Sequence, residues 1–182
     1  MTLSLAVPDI LVARARAGDL EALEGLYSAF ETPVYNLARR ICRTPEDAED
    51  VLQETFLEVV RSIKQYRGEG HLWGWVRRIA STKALMRIRR DQIRATESLD
   101  DEPGKSGMHI GANLDLERAM EQLSETSRAV VWLHDVEGYT HEEIAEQMGK
   151  SVSFSKSQLA RAHARLRRML GAEAQDVGGT HA

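Results

Sequence analysis

Residues 140–149 read THEEIAEQMG and residues 150–168 continue KSVSFSKSQLARAHARLRR, and the reading of this stretch decides the fold. Thr140 with Glu143 makes a capping box: the hydroxyl accepts from the N–H three residues on while the glutamate reaches back to the N–H of the cap, so a short helix starts here. Ile144, Ala145 and Met148 form its inner stripe, and Gly149 supplies the left-handed residue that ends it. Ser151 or Ser153 then caps a second helix. Its apolar positions Leu159, Ala162, Leu166 and Met169 or Leu170 keep the helical period, while Lys156, Gln158, Arg161, Arg165 and Arg168 point elsewhere. Two amphipathic helices across a short turn, the second one basic, outline a helix-turn-helix, whose second helix enters the major groove of DNA by its N-terminal turn. A packed helical hairpin with a solvated basic face has the same spacing, so the rest of the chain has to decide.

The 182 residues, 29% charged and 42% hydrophobic, suit one or two ordinary globular domains. A single cysteine, Cys42, excludes an internal disulfide and fits a reducing cytosol. The first 17 residues lack a basic leader and carry Pro8-Asp9 inside their apolar run, so a signal peptide is not expected. No stretch is long enough to span a bilayer. Charge is strongly partitioned. Residues 1–60 hold five basic against eleven acidic side chains, 61–94 ten against two, 95–150 four against thirteen, and 151–182 five against two. Two basic segments alternating with two acidic ones suit a protein that touches DNA at two places and a basic protein partner elsewhere.

Leu23, Leu26, Tyr27, Phe30, Val34, Leu37, Ala38 and Ile41 recur at helical spacing, with Pro33 expected to kink or break the run. Thr44-Pro45 reads as N-cap and first-turn proline of a new helix, lined on one side by Ala48, Val51, Leu52, Thr55, Phe56, Val59 and Ile63. Glu46, Asp47, Glu49, Asp50, Glu54 and Glu58 crowd its start and outer face. Acid in the first turn favours the helix dipole, but the excess beyond it needs another reason. After a loop at Gly68 and Gly70, residues 72–94 return to helical period, with Trp75, Ile79 and Met86 as expected core beneath a cover of basic side chains. Residues 96–113 read as an acidic flexible linker. Segments 114–123 and 127–137 and the helix-turn-helix complete a C-terminal helical domain, and 172–182 reads as a disordered tail. The expected fold is therefore all-α: two small helical domains, 1–95 and 114–171, joined by that linker.

Four stretches in order resemble the extracytoplasmic-function sigma factors of bacterial RNA polymerase, the compact group that keeps only sigma regions two and four. They are Gly18-Asp19 with Ala22, DAEDVLQETFL at 47–57, WVRRIA at 75–80, and GYTHEEIA at 138–145. The resemblance spans about residues 18–170. It implies that the protein directs core polymerase to promoters, that Asp47, Glu49, Asp50, Gln53 and Glu54 dock on the clamp helices of the beta-prime subunit, and that the beta flap is a second contact. It implies that Trp73, Arg77, Arg78, Lys83, Arg87 and Arg90 meet the melted minus-ten element, with Trp73 stacking on an unpaired base unless it merely packs. It implies that Lys156, Ser157, Gln158, Arg161 and Arg165 read the minus-thirty-five duplex. An anti-sigma protein is a further partner the family suggests; no cofactor is implied.

The departures from the family pattern concern promoter choice. Ser81-Thr82 and Met86 stand where Arg-Asn and a later Asp are usual, and the reading helix opens FSKSQL rather than TVKSRL. Gln158 in place of arginine favours adenine over guanine if it reaches a base edge, so an unusual promoter sequence is expected. Enzymatic readings find little support. His141-Glu142 begins like a zinc-protease helix, but Ala145 stands where the second histidine is needed. The remaining histidines are scattered, with no cysteine cluster beside them. Two other functions stay open: a sigma-like decoy that binds an anti-sigma protein, and a stand-alone helix-turn-helix regulator. Thr55, within the acidic helix, is expected to serve packing rather than phosphorylation.

Overall fold

The computed structural model describes residues 7–68, 71–97 and 114–176, with side chains for all of these except 94–97, 114–115 and 171–176. Eight α-helices make up the described residues: α1 (Asp9–Arg16), α2 (Leu20–Ile41), α3 (Pro45–Ser62), α4 (Leu72–Glu97), α5 (Leu114–Glu121), α6 (Glu125–Val131), α7 (His141–Met148) and α8 (Val152–Asp176). They fall into two compact units, residues 1–87 and 88–182, with the division inside α4. Most of the expected linker, 98–113, and the last six residues of the expected tail lie outside the described residues. Residues 172–176 continue α8, which is longer than its sequence predicts.

In the first unit, Gly18 takes φ +89° and delivers the chain to Asp19, whose carboxylate caps α2 by accepting from Ala22 N at 3.3 Å. The same carboxylate accepts from Arg14 Nε at 2.6 Å, which ties α1 to the start of α2. α2 runs unbroken through Pro33, contrary to the expected break. Proline removes one i→i−4 bond, the one to the carbonyl of Ala29, which like Pro33 is only half-buried. Phe30 and Val34 beside it are fully buried, and their packing carries the helix across the gap. Thr44 caps α3 by accepting from Asp47 N at 3.1 Å, with Pro45 in the first turn. The inner face of α3 is Ala48, Val51, Thr55, Phe56 and Val59; Thr55 is fully buried, and its hydroxyl donates to the Val51 carbonyl at 2.6 Å.

α4 corrects one expectation. Its core stripe is Leu72, Trp73, Val76, Ala80, Ser81, Ala84, Leu85 and Ile88, whereas Trp75 and Ile79 are half-buried and Met86 is exposed. The segment has apolar residues at more than one helical phase. The phase that is buried is the one with alanine and serine at its middle.

The second unit is built from its caps. Ser124 accepts from Ser127 N at 3.3 Å to start α6. After Val131 the helix widens into one i→i+5 turn, Trp132–Val136, closed by Glu137 N donating to the Trp132 carbonyl at 3.1 Å. The box at α7 is complete: Glu143 N donates to Thr140 Oγ1 at 3.2 Å and Thr140 N to Glu143 Oε2 at 2.8 Å. Gly149 ends α7 at φ 62°, ψ 37°, and Lys150 N donates back to the Ala145 carbonyl at 2.9 Å, the paired closure of a left-handed helix end. Ser151, two residues on, caps α8 by accepting from Phe154 N at 3.1 Å. Leu133, Tyr139, Ile144, Ala145, Leu159, Ala162 and Leu166 are buried among α5 to α8, with Ser155 fully enclosed.

Candidate functional site

On α3, Glu49, Asp50 and Gln53 are exposed and Glu54 is half-buried. Asp47 is not the free surface group its sequence position suggests: its side chain is 15% exposed, against 55% for Asp50. Both carboxylates are taken by Arg87 of α4, which donates through Nη2 to Asp47 Oδ1 and through Nη1 to Asp50 Oδ2 at 2.8 Å. One helical turn earlier on α4, Lys83 Nζ lies 3.2 Å from Glu58 Oε2. Two cations expected on one face are thus bound to three carboxylates of the neighbouring helix. Pairs separated by 25 to 40 residues leave no local mark in the sequence. Arg78 and Arg90 are exposed and Arg77 is half-buried.

Of the two tryptophans, Trp73 packs, the alternative left open for it, and Trp75 lies outside the buried core. Trp73 is 9% exposed and stacks on Phe30, with ring centroids 5.6 Å apart and planes 25° from parallel. Buried in this way, with one face against Phe30, it offers little surface to a base. Trp75, expected in the core, is half-buried and leans on Tyr66 at 5.4 Å.

On α8, Lys156, Ser157, Arg161 and Arg165 are exposed along the first turns. Arg161 folds back along the helix, its Nε donating to the Ser157 carbonyl at 3.2 Å and its Nη2 to Ser157 Oγ at 3.3 Å. Gln158 is half-buried, and its Oε1 accepts from Ser127 Oγ of α6 at 3.1 Å. The sequence gives no hint of that bond.

A second cluster unforeseen in the sequence joins the wide turn, α7 and α8. Asp135 accepts from His134 Nδ1 at 2.8 Å and from His163 Nε2 at 2.6 Å, His134 stacks on His141 at 4.5 Å, and His141 Nδ1 is 3.0 Å from Ser155 Oγ. Burial pushes the Asp135 carboxyl up, but the hydrogen bonds from His134 and His163 outweigh it and hold it below the ordinary range. His141 is held below its ordinary value, first by burial and then by the nearby His134 and Lys156. A histidine with a lowered folded pKa binds fewer protons folded than unfolded. Its contribution is complete above about pH 6.5 and is lost as the pH falls through the folded value. Melting temperatures of the full chain should therefore drop between pH 7 and pH 5, and His141→Gln should flatten the drop; an equal drop in that variant would remove His141 from the cause.

Two family models match the chain, sigma-70 region 2 over residues 26–94 and sigma-70 region 4 over residues 113–166. The extracytoplasmic-function RNA polymerase sigma factor SigM of Mycobacterium tuberculosis is 32% identical over 163 residues, spanning 88% of this chain and 83% of that protein. The corresponding sigma-E factor of Haemophilus influenzae is 30% identical over 169 residues, spanning 84% and 89%. Among solved structures, CnrH in complex with the cytosolic domain of CnrY aligns over 90% of this chain and 96% of its own, with TM-score 0.53 and 26% identity. The sigma factor RpoE of Bartonella quintana, solved with the anti-sigma factor NepR, shares the fold at TM-score 0.60 and 18% identity, over 84% of this chain and 98% of that one. Among the described residues no helix is long and apolar enough to cross a membrane.

Proposed function

This chain belongs to the extracytoplasmic-function family of RNA polymerase sigma factors, and from that premise we propose how its surfaces are divided between polymerase and promoter. As a sigma factor it directs core RNA polymerase to promoters and is not itself an enzyme. The outer face of α3, with Asp47, Glu49, Asp50, Gln53 and Glu54, docks on the clamp helices of the beta-prime subunit, where complementary charge speeds and orients the encounter. The beta flap takes the second domain. On α4, Arg77, Arg78 and Arg90 meet minus-ten DNA, joined by Lys83 and Arg87 as their carboxylate partners engage the polymerase. Trp75 rather than Trp73 supplies the aromatic face for an unstacked base. Lys156, Ser157, Arg161 and Arg165 meet the minus-thirty-five duplex.

The observation that carries this reading is the α7–turn–α8 unit, closed at every junction by its own caps, with four polar or basic side chains exposed on the first turns of α8. The work is done in the cytoplasm, where polymerase and chromosome are. An anti-sigma protein holds the chain in reserve, a partner suggested by the solved relatives, CnrH with CnrY and RpoE with NepR.

Run-off transcription from a promoter selected with reconstituted holoenzyme tests the assignment. Transcript should depend wholly on this protein. Binding to an anti-sigma protein without any transcript would mark a decoy, and sequence-specific duplex binding without polymerase would mark a stand-alone regulator.

A further inference from the structure

We propose that Gln158 positions the reading helix and does not itself read a base. The proposal rests on the assignment of α8 to the minus-thirty-five duplex. A glutamine that selects adenine must present its amide N–H and its carbonyl together to one base edge. Here the carbonyl faces inward: Ser127 Oγ of α6 donates to Gln158 Oε1 at 3.1 Å. Ser127 is itself oriented, accepting from Ser124 Oγ at 3.0 Å, while Ser124 is the residue that caps α6. A line of hydroxyls therefore runs from the N-cap of α6 to the second turn of α8 and ends on a half-buried amide.

With the carbonyl turned toward α6 and the side chain half-buried, the amide does not present its N–H and its carbonyl together to one base edge outside the protein. What the bond supplies is rotation. Together with the buried face of Ser155, Leu159, Ala162 and Leu166, the bond at Gln158 holds the rotation of α8 against α6 and so steadies where Lys156, Ser157 and Arg161 project. Arg161 is already drawn back over the second turn by its two bonds to Ser157, with Nη1 left for a base acceptor. Base discrimination falls to these three side chains, and Gln158 acts through them.

The test uses holoenzyme assembled from core polymerase and the full chain, a promoter library randomised at the minus-thirty-five element, and the variants S127A, Q158M, S127A/Q158M and Q158E. S127A and Q158M should each weaken binding to the wild-type consensus about three- to tenfold, the size of one lost hydrogen bond. Neither should change the preferred base at any position, and the double variant should be no weaker than either single one. Q158E is the conservative rescue: its carboxylate still accepts from Ser127, so base preferences should stay those of the wild type, whereas a direct reader would exchange adenine for cytosine. Relaxed preference at one position in Q158M but not in S127A, or a switch to cytosine in Q158E, would overturn the proposal. A wild-type holoenzyme that selects no minus-thirty-five sequence at all would overturn the DNA assignment of α8 and this inference with it. Thermal melts of each variant show that altered binding does not come from unfolding.

Discussion

Phe30→Ala should lower the stability of the first unit by about 3–5 kcal/mol, the range for removing a fully buried phenylalanine. Phe30 has no exposed surface, stands beside the one proline in α2, and carries the stacked face of Trp73. Its loss removes a packing partner from both helices and leaves the Pro33 gap with less to bridge it. A domain of this size holds only about 5–15 kcal/mol in all, so a melting temperature lower by at least about 12 °C is expected. Trp75→Ala is the comparison. One side of that ring rests on Tyr66 while the residue remains partly open, so its truncation should cost less than half as much stability. If Trp75 is the base platform, the same change should nevertheless impair promoter opening more than duplex binding. Equal losses of stability for the two variants would mean that the described core of α4 is wrong in phase.

That phase is what the sequence could not supply. The ends of α7 were legible to the residue, because a capping box and a left-handed glycine are local chemistry acting within four residues: Thr140, Glu143 and Gly149 each make the bond their type and position predict. Thr44-Pro45 and the buried stripe of α3 were legible for the same reason. In α4 the large apolar residues Trp75, Ile79 and Met86 suggested one face, while the buried face is the one with Ala80, Ser81 and Ala84 at its centre. Which face is buried is decided by contacts with residues far away in the sequence, such as Phe30 against Trp73, and no window of sequence contains them. Pro33 was misjudged because propensity counts the lost bond but not the burial of Phe30 and Val34 that compensates for it. The family was legible because its motifs are short and ordered. The bonds that govern the candidate surfaces, Arg87 to Asp47 and Asp50, Lys83 to Glu58 and Ser127 to Gln158, link separate helices and were not.

The Arg87 clasp also separates two substitutions that would look equivalent in the sequence. Asp50→Lys should reduce retention by core polymerase at least about tenfold and leave the fold nearly intact, since reversing a charge at a complementary interface costs both the lost attraction and a new repulsion. Asp50 is more than half exposed, and Arg87 keeps Asp47 as a partner when Asp50 is gone. Asp47→Lys should weaken docking too, but at a price in stability of about 1–3 kcal/mol, between the limits for surface and buried ion pairs. Its side chain is 15% exposed, and a lysine there would face the Arg87 guanidinium at close range. Arg87→Met resolves the remaining ambiguity. In that background Asp47→Lys no longer meets a like charge, so the stability loss should shrink while the docking loss persists. The measurements are co-purification with core polymerase and thermal melts of the free chain, made on the same variants. Undiminished co-purification of Asp50→Lys would remove α3 as the docking face. An Asp47→Lys variant as stable as Asp50→Lys would show that the clasp adds nothing to the stability of the free protein.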